Sequence, residues 1–490
     1  HALIEPADYL PYLHSEGILL NNDARRETIW QQALALAQKT GGTLQEDPAL
    51  LEEVTNLVER PTAILGSFSP KYLETLPPEV LIGVMKKHQR YFPVLDESGQ
   101  LMPYFVVIRN GDSHGVESVI DGNEQVVLAR FADAEFFIKE DYAKALAEFV
   151  PGLAQLTFQK QLGSMLDKTD RVRKLAETIG VKMELSPVDL AGTLRAAELA
   201  KADLASSMVV EMTSLQGVMG KYYALRSGED EAVAQGIFEH YLPRFAGDAL
   251  PEGLPGIVVG IADRLDSIAG LFAVGLAPTG NKDPFALRRS ALGLAQILIG
   301  KDLDFDLQWG LEQAGKLLPV ALKPEVQQAA LDFSQGRLRG LLLDAGARYD
   351  VVDAALAAQG ANPARTSEAV KTLAEWVCRE DWADILAAYS RSVRITRDLK
   401  EQFTVDKAKL SEAEEVALAQ DLERAEQQSG KGFEDALKAL EGLVPAITAF
   451  FDKVLVMDPD ETVRQNRLAL LQKVAGLIRP YADLSKLEGF

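Results

Sequence analysis

Hydrophobic positions recur along this chain at helical spacing for most of its length. Ile29, Ala33 and Ala37 stand four apart in RRETIWQQALALAQKTGG, and Gly41-Gly42 follows as a stop. Leu204, Met208, Leu215 and Met219 recur at intervals of four, seven and four, which predicts one side of a helix with Asp203 on its first turns. A further helix is predicted over 151–185, with Gly180 as its stop and Pro187 beyond it. Val126 to Ile138, VVLARFADAEFFI, is apolar and aromatic on more than one side, which predicts burial all round. Near the end, Leu468, Leu471, Ala475 and Ile478 form one buried stripe.

The pattern changes only between residues 61 and 110. Thr62–Leu65 reads as a short strand, and Tyr91–Leu95 and Tyr104–Ile108 flank the turn-rich Asp96-Glu97-Ser98-Gly99, which predicts a hairpin. Residues 301–375 read as a Leu/Ala-rich helical brace broken at Pro319, Pro324 and Asn362-Pro363. From about 380 the pattern is helical again, interrupted by the acidic segment Ser411–Glu426 and by Ser429-Gly430-Lys431-Gly432. Gly217 and Gly220 suggest a helix break or a close helix contact.

Composition narrows the class. At 490 residues the chain exceeds one ordinary core, so two to four domains are expected. Its 47% hydrophobic and 25% charged content is that of a soluble globular protein, and no apolar run approaches the length of a membrane span. No signal peptide is read at its start, and the first residue is His rather than Met, which suggests a fragment. The single cysteine, Cys378, fits a reducing cytoplasm and reads as core filler beside Trp376-Val377. A net charge of −21 opposes a nucleic-acid partner, but screening over about 8–10 Å lets a local basic face bind despite it.

Candidate chemistry is sparse. Lys86, Lys87, His88 and Arg90 read as a solvated basic turn, with a tRNA or partner contact as the alternative. In PTGNKDPFALRR, Asp283 is a good N-cap and Pro284 suits the first helical position. The loop before them is no Walker sequence, and a capping Asp283 would take the anion position, so ATP is not expected there. Arg288 and Arg289 suit a backbone contact with RNA or, equally, a structural ion pair. Arg391, Arg394 and Arg397 fall within one broad helix face that can follow phosphates or simply be solvated. Arg464, Asn466 and Arg467 suit phosphates and base edges, with local pairing to Asp458, Asp460 and Glu461 as the alternative. Asp203, His240 and Asp263 lie on separate helical segments, as do the Asp and His ligands of HD-type phosphohydrolases; Ala202, however, stands where the adjacent His of that dyad belongs.

The strings ELAKADLASSMVVEMTSLQGVMGKYYA, AGDALP, ADRLDSIAGLF and PTGNKDPFALRR closely resemble the β subunit of bacterial heterotetrameric glycyl-tRNA synthetase. The upstream KKHQRYFPVLDESGQLMPYFVVIRN and GNEQVVLARFADAEFFIKED, and the downstream FFDKVLVMDPDETVRQNRLALL, extend the resemblance over essentially the whole chain. The resemblance implies a mainly α, multidomain fold. Residues 1–150 would be the remainder of a small α/β domain like the B3/B4 module of phenylalanyl-tRNA synthetase, and 151–300 an all-α HD-like domain lacking HD chemistry. Residues 301–379 would be a helical connector, and 380–490 an all-α anticodon-binding domain of the DALR type. Family β subunits carry a further N-terminal portion. Where the family shows a Lys-Arg-Val run, this chain has Ser390-Arg391-Ser392, which puts individual contacts in doubt but leaves the domain intact.

The function so implied is a tRNA-binding subunit of glycine–tRNA ligase, cytoplasmic, in an α2β2 assembly with the α subunit. It would orient tRNA(Gly), while ATP with Mg is consumed at the α subunit. The chain carries no class I signature or recognisable class II motif, so no catalytic residue, no metal site and no cofactor of its own are expected. Two rivals are a metal-dependent HD-type phosphohydrolase using Asp203, His240 and Asp263, and a non-catalytic helical scaffold.

Overall fold

Asn21 opens the first long helix, Asn22–Lys39, by accepting a hydrogen bond from the Ala24 amide at 2.9 Å. The helix ends at Thr40, Gly41 follows at φ +77°, and Ile29, Ala33 and Ala37 are fully buried. They pack with Phe92, Val94 and Val106 of a four-stranded antiparallel sheet. Its strands are β1 (Thr43–Leu44), β2 (Pro61–Ser67), β3 (Phe92–Leu95) and β4 (Leu101–Asn110), in the order β1-β3-β4-β2. The expected hairpin is β3–β4, with Phe92 opposite Val106, and Asp96 closes its turn by accepting from the amides of Ser98 and Gln100.

The structure is a computed structural model that describes residues 5–490. The chain forms two compact units, one of His1–Leu156 with Leu199–Phe238, the other of Thr157–Glu198 with Glu239–Phe490. Helix makes up 66%, and among the described residues strand is confined to the small N-terminal sheet and one short hairpin, so the mainly α class holds. Among the described residues no helix is long and apolar enough to cross a membrane.

Two expectations fail in the first unit. The helix Val116–Asp141 buries only one stripe, Val127, Phe131, Ala134 and Ile138, while Val126, Leu128 and Phe136 are exposed. Spacings of four and three select a single face even in an apolar run. The helix expected through Leu204–Met219 is broken into the turn Ala202–Ala205, the helix Ser207–Glu211, the turn Thr213–Leu215 and the helix Val218–Arg226. Ser206 restarts the chain as an N-cap, Gly217 turns it at φ +79°, and Asp141 accepts from the amides of Ser207 (2.8 Å) and Met208 (2.9 Å). Tyr223 donates its hydroxyl to the same carboxylate at 2.6 Å. Side-chain acceptors offered to backbone donors compete successfully with helix continuation here.

In the second unit the predicted 151–185 helix begins only at Met165, after a hairpin of β5 (Thr157–Gln159) and β6 (Gly163–Ser164), because Ser164 and Asp167 form a reciprocal capping box. It runs past Gly180 to Lys182. Helix Leu254–Ala273 is buried on nearly all sides and serves as the axis of this part. Pro324 and Pro363 sit in the first turns of their helices, so the breaks read there are helix starts. The acidic segment is no interruption: Ala413–Gln428 is a helix that buries Leu418, Leu422 and Ala425 beneath its acidic face. It joins helices Trp382–Thr396, Phe433–Lys453 and Glu461–Ile478 around Phe450, Leu471 and Ile478. Cys378 lies exposed just past the end of helix Pro363–Val377, so it is not core filler.

Candidate nucleic-acid interface

The helix Trp382–Thr396 buries Ile385, Leu386 and Tyr389 and turns its basic residues outward. The Arg391 guanidinium lies 4.4 Å from the centroid of the Phe451 ring and 3.6 Å from Asp452, and that of Arg394 lies 5.5 Å from the Phe490 ring. Stacking on a ring holds the planar group by its face and leaves its N–H edge for other acceptors. Arg397, just past the helix, is 64% exposed and lies 3.7 Å from the exposed carboxylate of Asp398. It lines a cleft of about 350 Å³ with Arg479, Tyr389, Asp483, Ser485 and Phe490. Its lining carries two arginines and one aspartate, with the exposed Asp398 beside Arg397, in a chain of net charge −21.

The second basic run takes the opposite course. Arg467 is buried, pairing through Nε with the buried carboxylate of Glu415 and through Nη1 with Asp458 (2.9 Å) and the Leu455 carbonyl (2.8 Å). Asn466 is buried too: its Oδ1 accepts from the Asp406 amide at 2.7 Å and its Nδ2 donates to the Asp406 carbonyl at 3.1 Å. Arg464 donates to the Asp458 carbonyl at 3.0 Å. All three therefore tie helix Glu461–Ile478 to the segments around 406–415 and 455–458 instead of facing outward. These contacts are the local pairing that the sequence offered as the alternative, with Glu415 as a partner that sequence proximity did not show. Burial opposes ionisation of Glu415, but Arg467 and the amides of Glu412 and Ser411 outweigh it and hold the carboxyl below the usual glutamate range.

Around Arg288 and Arg289 the helix begins at Leu287 and not at Pro284, because Ala286 adopts φ +54°. Asp283 still caps it from further back, accepting from the amides of Leu287 (2.8 Å) and Arg288 (2.9 Å). The carboxylate thus takes the place of an anion, as expected. Arg288 donates to the Gly280 carbonyl at 2.5 Å. Arg289 is exposed and makes no ion pair among the described residues. Both line a cleft of about 580 Å³ that Arg337 and Phe245 also border. In the first unit, Lys86 pairs with Asp47 (2.9 Å) and Arg90 with Glu53 (2.7 Å), so two cations of this basic run are ion-paired and not merely solvated.

Asp203 belongs to the first unit, His240 and Asp263 to the second. Asp203 is fully buried, and its Oδ2 accepts from the amides of Gly217 (2.6 Å) and Gly220 (3.0 Å). Gly220 is required there: a Cβ would stand 2.7 Å from Ile237 and 3.0 Å from the Asp203 carboxylate. Burial raises the Asp203 carboxyl to about 6 against those amide bonds. Asp263 and Asp266 both meet the Lys168 ammonium at 3.1 Å, and Asp266 also takes Arg171 through two bonds of 2.6 and 3.2 Å. Burial works against the Lys168 charge, yet Asp263 and Asp266 outweigh it and keep the ammonium above the usual lysine range. The His240 carbonyl accepts from Arg264 at 2.9 Å. Arg264 also donates to the carbonyls of Gly260, Tyr241, Leu242 and Pro243, and burial draws its guanidinium down to about 10. Carboxylates that a divalent ion would need already face an ammonium, a guanidinium or backbone N–H groups, so this donor set does not suit a metal. Among the described residues no three His, Cys, Asp or Glu side chains are placed to share one.

Sequence reasoning missed Lys168, Arg171, Arg264, Arg337 and Arg479. One signal was available: Lys168 and Arg171 stand three apart on one helix, as do Asp263 and Asp266 on another, so each pair shares a face with the spacing to match the other. Arg264 and Arg479 carry no such pattern.

Comparison with known proteins now bears on these sites. A family profile described as glycyl-tRNA synthetase beta subunit matches residues 2–357, and one described as DALR anticodon binding domain matches residues 385–484. The glycine–tRNA ligase beta subunit of Moorella thermoacetica is 42% identical over 99% of this chain and 72% of its own length. That of Clostridioides difficile is 41% identical over 98% of this chain and 70% of its own length, and that of Halalkalibacterium halodurans 39% identical over 99% and 71%. The exposed arginines 391, 394 and 397, and the charged residues Arg397, Arg479 and Asp483 of the cleft, thus lie within the DALR-matched stretch, and the chain belongs to the glycyl-tRNA synthetase β-subunit family, the tRNA-binding subunit of glycine–tRNA ligase.

Proposed function

We propose that this subunit holds the anticodon end of tRNA(Gly) on the face formed by Arg391, Arg394, Arg397 and Arg479, and so orients the tRNA for ATP-dependent glycylation by the α subunit. The observation that carries the reading is the cleft of about 350 Å³ whose charged lining, Arg397, Arg479 and Asp483, falls in the DALR-matched stretch, with the neighbouring Arg391 and Arg394 lying over rings. Unstacked loop bases can enter such a recess, and guanidinium edges can take both phosphates and base acceptors. Asn466, Arg464 and Arg467 act indirectly, by fixing the helix behind this face. The assembly is α2β2 and cytoplasmic, and ATP with Mg is used on the α subunit.

The HD-like and B3/B4-like parts, within the limits 151–300 and 1–150, are frame rather than catalyst in this reading, and 301–379 connects them to the anticodon-binding part at 380–490. The filled carboxylates of Asp263 and Asp266 support a silent, metal-free HD-like part and speak against the phosphohydrolase alternative.

The test uses the αβ holoenzyme titrated with tRNA(Gly) and with tRNA(Gly) altered in its anticodon. Arg397→Ala/Arg479→Ala should narrow discrimination by about 1–3 kcal/mol while melting as the parent does. Unchanged discrimination in this folded double variant, or glycine-dependent pyrophosphate exchange by the subunit without its α partner, contradicts the reading.

A further inference from the structure

The cleft of about 580 Å³ bordered by Phe245-Ala246, the start of helix Leu287–Gly300 and the middle of helix Pro324–Asp344 lies outside the anticodon face. Its size is within the roughly 300–1,000 Å³ usual for small-ligand sites. Arg288, Arg289 and Arg337 reach it from two helices. Arg289 and Arg337 are exposed and make no ion pair among the described residues, in a chain where 72 carboxylates outnumber 51 Lys and Arg. Of the two carboxylates lining the cleft, Asp283 is engaged by the amides of Leu287 and Arg288, which leaves Asp344 as the only counter-charge not already bound.

The apolar side of the cleft is equally specific. Phe245 is 58% exposed at the edge of this recess, with the Arg244 guanidinium 5.8 Å from its ring centroid. Gly336 and Gly340 stand one turn apart on the opposite helix, and a Cβ at either would meet nothing within 4 Å. Packing in the free chain therefore does not demand glycine at these helix-interior positions, where it lowers helix propensity. Bare backbone does leave room for a flat ligand.

We propose that this cleft binds one phosphorylated nucleotide unit, with Arg289 and Arg337 on the phosphate oxygens and Phe245 against the face of the base. The proposal rests on the reading of the chain as an RNA-binding subunit in one of its two forms: the unit is a nucleotide displayed by bound tRNA, or else a free mononucleotide. Paired guanidinium groups match phosphate geometry, and an aromatic face stacks on any base.

The experiment takes the αβ holoenzyme and titrates it with tRNA(Gly), and separately with 5′-AMP, 5′-GMP and inorganic phosphate. Arg289→Gln/Arg337→Gln should lower affinity about tenfold or more for the form that binds, and Arg289→Lys/Arg337→Lys should keep most of it. For tRNA the Gln pair should also flatten the salt slope by about two, one for each lost phosphate contact. Phe245→Leu should weaken binding several-fold with the slope unchanged. Gly336→Ala/Gly340→Ala should raise the melting temperature and weaken binding together, a combination that damage to the fold cannot produce. Mononucleotide binding lost in the Gln pair identifies a free-nucleotide site; no mononucleotide binding with reduced tRNA affinity identifies a displayed nucleotide. If the Gln pair, folded, binds tRNA and mononucleotides as the parent does, the proposal is overturned. Should Arg397→Ala/Arg479→Ala still alter anticodon discrimination in that case, only the cleft assignment fails; should mononucleotides bind here while tRNA does not bind at all, only the anticodon reading fails.

Discussion

Two groups of arginines in the anticodon-binding stretch, Arg391–Arg397 and Arg464–Arg467, look alike in sequence and are used differently. The first lies at the surface, beside the rings of Phe451 and Phe490 and the exposed carboxylates of Asp452 and Asp398, so the charge stays in water. The second enters a space where Glu415, Asp458 and the Asp406 backbone supply acceptors, and the charge is enclosed. What separates them is the character of the residues the fold brings alongside. A basic residue stays available to RNA where the carboxylates beside it leave it exposed, as Asp452 and Asp398 leave Arg391 and Arg397.

The contrast can be broken most sharply at Arg467. Its change to Met should destabilise the second unit by about 3–5 kcal/mol, because Glu415 is left buried and unpaired. Urea unfolding of the holoenzyme checks this, and a loss under 1 kcal/mol would mean that the pair is not enclosed. The sign with pH follows from the depressed Glu415 carboxyl. A group held low contributes stability that is present above its unfolded value, near 4.3, and is lost as pH falls through the folded value. The gap between parent and Arg467→Met should therefore be widest near neutrality and shrink under acid; a gap independent of pH would remove Glu415 from the account.

Asn466→Leu comes next, at about 1–3 kcal/mol, since both its hydrogen bonds to Asp406 vanish and leave buried backbone groups unsatisfied. Limited proteolysis around 400–412 should accelerate with it, and unaltered cleavage there would show that the segment is held some other way. Arg464→Ala should cost about 1 kcal/mol for its single bond to the Asp458 carbonyl, with tRNA affinity unchanged per folded molecule. A fall in affinity without a fall in stability would return Arg464 to the interface. The smallest stability effect, within about 1 kcal/mol, belongs to Arg394→Gln on the exposed face. There the effect should appear in RNA binding instead, as a salt slope flatter by about one.

Much of this was legible in advance where local chemistry decides. The period of Ile29, Ala33 and Ala37, the Asp96 turn and the Leu468–Ile478 stripe each follow from neighbours in sequence, and each stands in the structure. The errors share a different cause. Leu204–Met219 has a helical period, yet Asp141, more than sixty residues earlier, supplies acceptors that restart the chain at Ser207. Ser411–Glu426 looked like a solvated break because its apolar stripe, Leu418, Leu422 and Ala425, is sparse against its acids. Arg467 showed its acidic neighbours Asp458 and Asp460 but not Glu415, the partner that buries it. Cys378 was misplaced because its helix ends one residue earlier. In each case the deciding group lies far along the chain or just past an element's end.

The interleaving of the two units bears on the order in which the protein is made. Each unit is assembled from two separate stretches, so the ribosome finishes neither before beginning the other. When residue 156 has emerged, Asp141 still lacks the amides of Ser207 and Met208 and the hydroxyl of Tyr223. At roughly 5–20 residues per second, the eighty or so residues up to Phe238 take about 4–16 s to follow. For that interval the first sheet and its helices stand exposed with a carboxylate awaiting its donors, and a chain cut anywhere between 157 and 220 never receives all of them.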